Sequence, residues 1–155
     1  MSSKDDIELL TPELVFCDIE ADDTDDFFHK LQAKLEPMGY IKDNWFQAIT
    51  DRERSYATGL QTPTIGVAIP HADGCINRPY IAVIKPVKPV TFQPMGGIGG
   101  PVDAELIVNL GIMSEGGQVE MLQGLMRIFT NDEAVADIMA QMTPEDLVAS
   151  IKAHF

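Results

Sequence analysis

The sequence of 155 residues predicts one α/β layered domain built on a mixed, largely parallel β-sheet. Three observations carry that expectation. Short apolar, β-branched runs recur at residues 14–18, 64–69, 80–87 and 104–112. Between and after them come stretches with apolar residues every three or four positions, the spacing of amphipathic helices. The run at 104–112 is apolar almost without interruption, which suits a central strand covered on both faces. Neither an internal repeat nor a linker divides the chain, so residues 1–155 read as a single domain, with 1–6 expected to be disordered.

The first strand is expected at residues 14–18, with Cys17 as a buried strand thiol. The acidic stretch from Glu20 to Asp26 reads as a turn and a helix start, because acids in a first turn complement the helix dipole. It lacks the Asp-x-Asp-x-Asp-Gly spacing of a calcium loop. Phe27, Phe28, Leu31 and Leu35 form the buried face of that helix, leaving His29 on the surface, and Pro37-Met38-Gly39 ends it. Asp43 is placed to cap a second helix, whose apolar side is Trp45, Phe46 and Ile49 and whose end is Asp51-Arg52-Glu53-Arg54. Asn77-Arg78-Pro79 turns the chain into the strand at 80–87, and Pro86 and Pro89 put a bend or a sheet edge at its end. Residues 92–101 are glycine-rich but carry no Gly-Lys-Ser/Thr and open no helix, so a mobile surface loop is expected and not a phosphate cradle. Gly116-Gly117 precedes a helix marked by Val119, Leu122, Leu125, Met126 and Phe129. A shorter helix carries Val135, Ile138, Met139 and Met142, its methionines filling the core. Thr143-Pro144-Glu145-Asp146 is an N-cap with proline at the first helical position, leading to Leu147, Val148 and Ile151.

Composition narrows the function. With 45% hydrophobic and 23% charged residues the chain is of globular type, and no apolar run approaches a membrane span. The start lacks the apolar segment of a secretory signal, so a cytoplasmic location is expected. A formal charge of -13 disfavours nucleic acids and anionic membranes as partners and favours a basic protein. Cys17 and Cys75 are far apart and form no C-x-x-C pair, so no disulfide framework is expected.

The segment with the most chemistry is Thr64-Ile65-Gly66-Val67-Ala68-Ile69-Pro70-His71-Ala72-Asp73-Gly74. Pro70 keeps Ile69 extended and removes the next backbone donor, so the strand stops where His71 begins. That position, just beyond a strand's carboxyl end, is where open α/β sheets place ligands, and Gly74 lets the chain turn away. A neutral imidazole offers one nucleophilic nitrogen while the other is held by a carbonyl or hydroxyl. Two other chemistries use the same histidine: a Cys75–His71 nucleophilic pair, which has neither a third member nor an oxyanion hole nearby, and a metal site of His71, Asp73 and another ligand. His29 and His154 lie in helical segments without His-x-His or His-x-x-x-His spacing. Arg52 and Arg54, taken alone, read as a solvated charge run near the next loop.

Gly66-Val67-Ala68-Ile69-Pro70-His71 resembles the Gly-x-Ala-[Ile/Val]-Pro-His signature of phosphotransferase-system (PTS) enzyme IIA components of the fructose–mannitol class, the EIIA type-2 domain. Arg52-Glu53, Thr58-Gly59, the run from Ala104 to Val108 and Gln118-Val119-Glu120-Met121-Leu122 follow in the family's order, so the resemblance runs from Ile7 nearly to the end. The spacing of residues 60–64 and the Ala72-Asp73 pair look most like the galactitol-type branch. The resemblance implies a mixed sheet with helices on both sides. It also implies a relay in which His71 becomes a tele-phosphohistidine by taking phosphate from the histidine-containing phosphocarrier protein HPr, then passes it to the cysteine of an enzyme IIB. The membrane enzyme IIC would be served only indirectly. On that reading the protein is a phosphotransferase for uptake of galactitol or a related polyol or sugar, with no cofactor, ATP or magnesium. Arg52 would bind the phosphoryl oxygens. Gln118 would stand where many members carry a second active-site histidine. A regulatory relative, whose His71 phosphorylation controls partner binding, is the alternative. An apolar rim for docking is expected from Ile76, Met95 and Ile98.

Overall fold

The computed structural model describes residues 6–113 and 115–155, with the side chains of 115–118 outside the described set. A short 3-10 turn, Ile7–Leu9, leads into β1, Leu10–Phe16. Then follow α1 (Thr24–Leu35), α2 (Trp45–Ser55), β2 (Gly59–Gln61), β3 (Gly66–Ala68), β4 (Tyr80–Ile84) and β5 (Val90–Phe92). After a 3-10 turn at Met95–Gly97 come β6 (Val102–Gly111), α3 (Glu115–Phe129), α4 (Asp132–Ala140) and α5 (Pro144–His154).

The six strands form one mixed sheet in the order β1-β4-β6-β3-β2, with β5 also on β6. β1 with β4 and β3 with β6 run parallel; β4, β5 and β6 pair antiparallel, as do β2 and β3. Alternation along each strand sorts the core into two layers. Ile81 and Val83 of β4, with Leu106, Val108 and Leu110 of β6, pack under α3, α4 and α5. Tyr80, Ala82 and Ile84, with Ile107 of β6, face α1 and α2. Helices therefore cover both faces, and the central run predicted at 104–112 is the strand that three others join.

Local chemistry explains the helix ends. Asp23 caps α1 by accepting from Asp26 N–H at 2.7 Å, so the acidic cluster is a helix start. Asn131 accepts from two amides of α4, and Thr143 caps α5 with Pro144 in its first turn. Asp43 does not cap α2. The cap position belongs to Asn44, whose side chain makes no cap bond and reaches the Gly74 carbonyl instead.

Several expectations are corrected. β1 begins four residues early, because the sheet edge tolerates Pro12: the register with β4 shifts between Leu10 and Val15, so the missing donor breaks no regular ladder. Cys17 falls just beyond β1 and is exposed. Residues 1–5 of the stretch expected to be disordered lie outside the described residues, and Asp6 is buried. β5 replaces the start of the loop expected at 92–101, since the Phe92 ring lies 6.1 Å from Phe27 and 6.2 Å from Phe28, and the core holds it. β2 was invisible because Gly59-Leu60-Gln61 has no apolar alternation; long-range pairing with β3, and a bridge from Gly59 to Pro94, make it a strand. Met142 lies past the end of α4 and is 90% exposed, and Val119 is exposed as well; Met139 packs on the core.

Gly66 opens β3 against β6, and a Cβ there would strike the Asp103 carbonyl oxygen and lie 2.8 Å from Val102 Cγ1. The collision is with backbone in the sheet, which cannot step aside as a flexible side chain would. Gly66→Ala should cost about 1–3 kcal/mol of stability. Paired urea melts decide it, and an unchanged midpoint would mean that β3 does not lie this close to β6.

Candidate active site

The segment around His71 is held by hydrogen bonds with β6 and with Thr58, between the end of α2 and β2. Residues 66–68 pair with β6 on one edge and β2 on the other, and beyond Ile69 and Pro70 the chain touches β6 again through a bridge between His71 and Leu110. Pro70 donates no hydrogen bond, and its carbonyl is free to accept. It accepts from the Asn109 amide at 3.0 Å and from Leu110 N–H at 3.2 Å. Asn109 is fully buried, and its side-chain oxygen accepts the Tyr80 hydroxyl, whose burial pushes that phenol upward in pKa and keeps it protonated.

His71 follows and is 8% exposed. Its Nδ1 lies 3.0 Å from the Ile69 carbonyl oxygen. A carbonyl can only accept, so Nδ1 carries a proton, and in the neutral ring the lone pair is on Nε2. This is the tautomer that a phosphoryl acceptor at Nε2 needs.

A second line of bonds comes from the other side. The Glu53 carboxylate, in the last turn of α2, accepts Thr58 N–H at 2.6 Å and Thr58 O–H at 2.8 Å. Thr58 Oγ1 in turn accepts Ile69 N–H at 3.3 Å. Burial pushes the Glu53 carboxyl up to about 7, its bonds to Thr58 opposing the shift only in part. The sequence pointed to Arg52-Glu53 and Thr58-Gly59 by resemblance alone. Tyr80 and Asn109 were missed, since each looks like an ordinary strand residue until the sheet pairs Tyr80 with Gly111 and Ala82 with Asn109.

Arg52 is half-buried one residue before Glu53. Its guanidinium lies over the exposed Tyr56 ring at 4.7 Å, and its buried Nε has no hydrogen-bond partner among the described residues. Arg54 is engaged elsewhere, at 2.9 Å from Asp25. Gln118 falls in α3, but its side chain lies outside the described residues. Cys75 is buried and its thiol is pushed up to about 11, so it stays protonated near neutrality and is unsuited to pair with His71 as a nucleophile. His29 is exposed and stacks on Phe46, while His154 bonds Asp137 at 2.8 Å between α5 and α4.

One groove borders the segment, and a second lies beside the end of α2. The first, of about 240 Å³, is lined by Lys42, Ala72, Asp73, Gly74, Ile76, Ile112 and Met113, directly after His71. The other, of about 470 Å³, lies between the end of α2 and the glycine-rich turn, from Arg54 and Tyr56 to Met95 and Gly99. Of the expected apolar rim, Ile98 is 85% exposed, while Ile76 is 5% exposed and lines the groove after His71.

The family model described as "Phosphoenolpyruvate-dependent sugar phosphotransferase system, EIIA 2" matches residues 8–154. Among solved structures, the chain is similar to the nitrogen regulatory protein IIA-Ntr from Neisseria meningitidis, at 24% identity with a TM-score of 0.73, covering 94% of this chain and 97% of that one. It is similar to the mannitol IIA of Escherichia coli at 14% identity and TM-score 0.70, covering 92% and 98%. The same holds for the complex of enzyme IIA mannitol with phosphorylated enzyme IIB mannitol from that organism, at 15% identity and TM-score 0.72, covering 93% and 97%. No curated protein matches the chain by sequence. Among the described residues, no helix is long and apolar enough to cross a membrane.

The buried Glu53 sets a pH signature on stability. Its pKa rises from the ordinary 4.5 to about 7 on folding, so the folded chain holds this proton more tightly than the unfolded one. That contribution is complete below the unfolded value and is lost as pH rises through about 7. Relative to Glu53→Gln, the wild type should lose on the order of 3 kcal/mol between about pH 4 and about pH 8. Urea melts of both proteins at the two pH values measure it; a constant difference would show that Glu53 titrates normally.

Proposed function

The chain belongs to the phosphoenolpyruvate-dependent sugar phosphotransferase system EIIA 2 family, and from that membership we propose that it carries a phosphoryl group on His71 between two protein partners. The observation that carries this reading is the Nδ1–H bond to the Ile69 carbonyl. In the neutral ring it leaves Nε2 as the only nitrogen with a lone pair, in a ring too buried to turn freely.

The step balances without a cofactor. The Nε2 lone pair of His71 forms an N–P bond as the N–P bond of a donor phosphohistidine breaks, and the donor ring leaves with its electron pair. His71 keeps its Nδ1 proton, so the phosphorylated ring is formally cationic and departs as a neutral imidazole when a cysteine thiolate of the acceptor attacks phosphorus. We take the donor to be HPr and the acceptor an enzyme IIB; a net charge of -13 suits a basic donor. The mannitol enzyme IIA likened to this chain is seen with phosphorylated enzyme IIB, which supports the acceptor. Enzyme IIC would be reached only through enzyme IIB. The sugar is proposed to be galactitol or a related polyol, on the spacing of residues 60–64 and the Ala72-Asp73 pair.

Arg52 is proposed as the phosphate-binding cation. Among the described residues its guanidinium rests on an aromatic ring, its buried Nε has no hydrogen-bond partner and no ion pair engages it. Gln118 is proposed as a neutral hydrogen-bond donor to the same group. A regulatory role is the second reading, favoured by the likeness to the nitrogen regulatory IIA protein. Transfer of label from this protein to the cysteine of a sugar-specific enzyme IIB separates the two.

With phosphoenolpyruvate, enzyme I and HPr, the wild type should take up one acid-labile phosphate and His71→Ala none; label retained by that variant, or mapped to His29 or His154, would sink the assignment. Arg52→Ala should slow transfer by about 10²–10³ with only partial rescue by lysine. A wild-type rate in Arg52→Ala would remove that residue from the site.

A further inference from the structure

We propose that Glu53 is a positioning residue for the transfer, acting through Thr58 to fix the Ile69 unit whose carbonyl holds the His71 ring. The inference rests on the reading of His71 as phosphoryl acceptor. Its ground is the unbroken path from Glu53 to Thr58 at 2.6 and 2.8 Å, from Thr58 to Ile69 at 3.3 Å and from Ile69 to His71 at 3.0 Å.

Each link has a chemical reason. A hydroxyl can donate and accept at once, and where its proton points decides where its lone pairs are. Because Thr58 O–H donates to Glu53, a lone pair is left for Ile69 N–H. The carboxylate takes both Thr58 donors, one on each oxygen. An amide at this position would offer one acceptor and set an N–H₂ against a second donor. A carboxylate is thus retained in a buried place where desolvation opposes its charge. The groups acting on the Glu53 carboxyl are the Thr58 N–H and O–H; the flanking cations are turned elsewhere, Arg52 over Tyr56 and Arg54 onto Asp25, and His71 lies at the far end of the path. Asn109 and Leu110 hold the Pro70 carbonyl from the sheet side. Ile69 and Pro70 are thereby gripped on opposite sides, the Thr58 side ending on the Glu53 carboxyl and the sheet side on a Tyr80 phenol that burial keeps protonated.

A residue that merely closed the turn from α2 to β2 would affect folding but not the tautomer of His71. The test is therefore imidazole ¹⁵N NMR of the full, unphosphorylated chain at about pH 8, where a typical histidine is neutral, combined with transfer kinetics from phospho-HPr. The wild type should show mainly the Nδ1–H tautomer. In Thr58→Val, which keeps the shape and removes the hydroxyl, and in Glu53→Gln, the ratio of Nδ1–H to Nε2–H should fall at least about fivefold. The kcat should fall about tenfold with KM for the donor changed less than about twofold. Thr58→Ser should restore both. If one variant fails to fold, the other still decides. Unchanged tautomer ratios in the folded variants would overturn the proposal even if transfer is slow, and so would shifted ratios with transfer at the wild-type rate. A wild type that accepts no phosphate would instead defeat the carrier reading, and the tautomer ratios would still report whether Glu53 positions the ring.

Discussion

An imidazole presents one nitrogen as a nucleophile only while the other is kept protonated by an acceptor that does not move. Here that acceptor is the Ile69 carbonyl, 3.0 Å from Nδ1 of His71. Much of the architecture can be understood as the means of holding it still. β3 is only three residues long but lies between β6 and β2, so it enters Ile69 already paired on both edges. Val67 and Ile69 bury into one layer and Ala68 into the other, which denies the segment any rotation about its own axis. Pro70 follows two residues after the strand ends and offers a carbonyl that Asn109 and Leu110 take, beside the bridge of His71 to Leu110.

Such rigidity is obtained with buried polar groups, which are unfavourable unless each finds its partner. Tyr80, Asn109, Thr58 and Glu53 are all buried, and each is hydrogen-bonded. Glu53 is the one that keeps a residual disadvantage, seen in its raised pKa. Arg52 differs: its guanidinium rests on the exposed Tyr56 ring, and among the described residues its buried Nε has no hydrogen-bond partner.

The parts of this arrangement that follow from local pattern could be read in the sequence. Strand-like runs, the helical spacing of Phe27, Phe28, Leu31 and Leu35, the Thr143-Pro144 cap and the proline before His71 all express short-range rules, and the structure contains them. The rest depends on what long-range pairing brings together. β2 has no apolar pattern and exists because β3 is there to pair with. β5 is held by Phe92 meeting Phe27 and Phe28 across more than sixty positions of sequence. Cys17 sat in an apolar run yet lies beyond the strand end, because β1 pairs with β4 only as far as Phe16 opposite Ile84, the last residue of β4. In the site, His71 and Arg52 carried a motif that resemblance could match. Asn109 and Tyr80 carried none, since an asparagine inside an apolar strand shows its purpose only when the facing carbonyl is known to be that of Pro70.

The central claim is that the pinned Nδ1 leaves Nε2 as the phosphoryl acceptor. The most direct measurement is ¹⁵N–³¹P NMR on protein labelled in its histidine rings and phosphorylated by phosphoenolpyruvate, enzyme I and HPr. The account requires one phosphorus coupled to Nε2 of His71, with the proton still on Nδ1. Phosphorus on Nδ1, or on any residue other than His71, would contradict it.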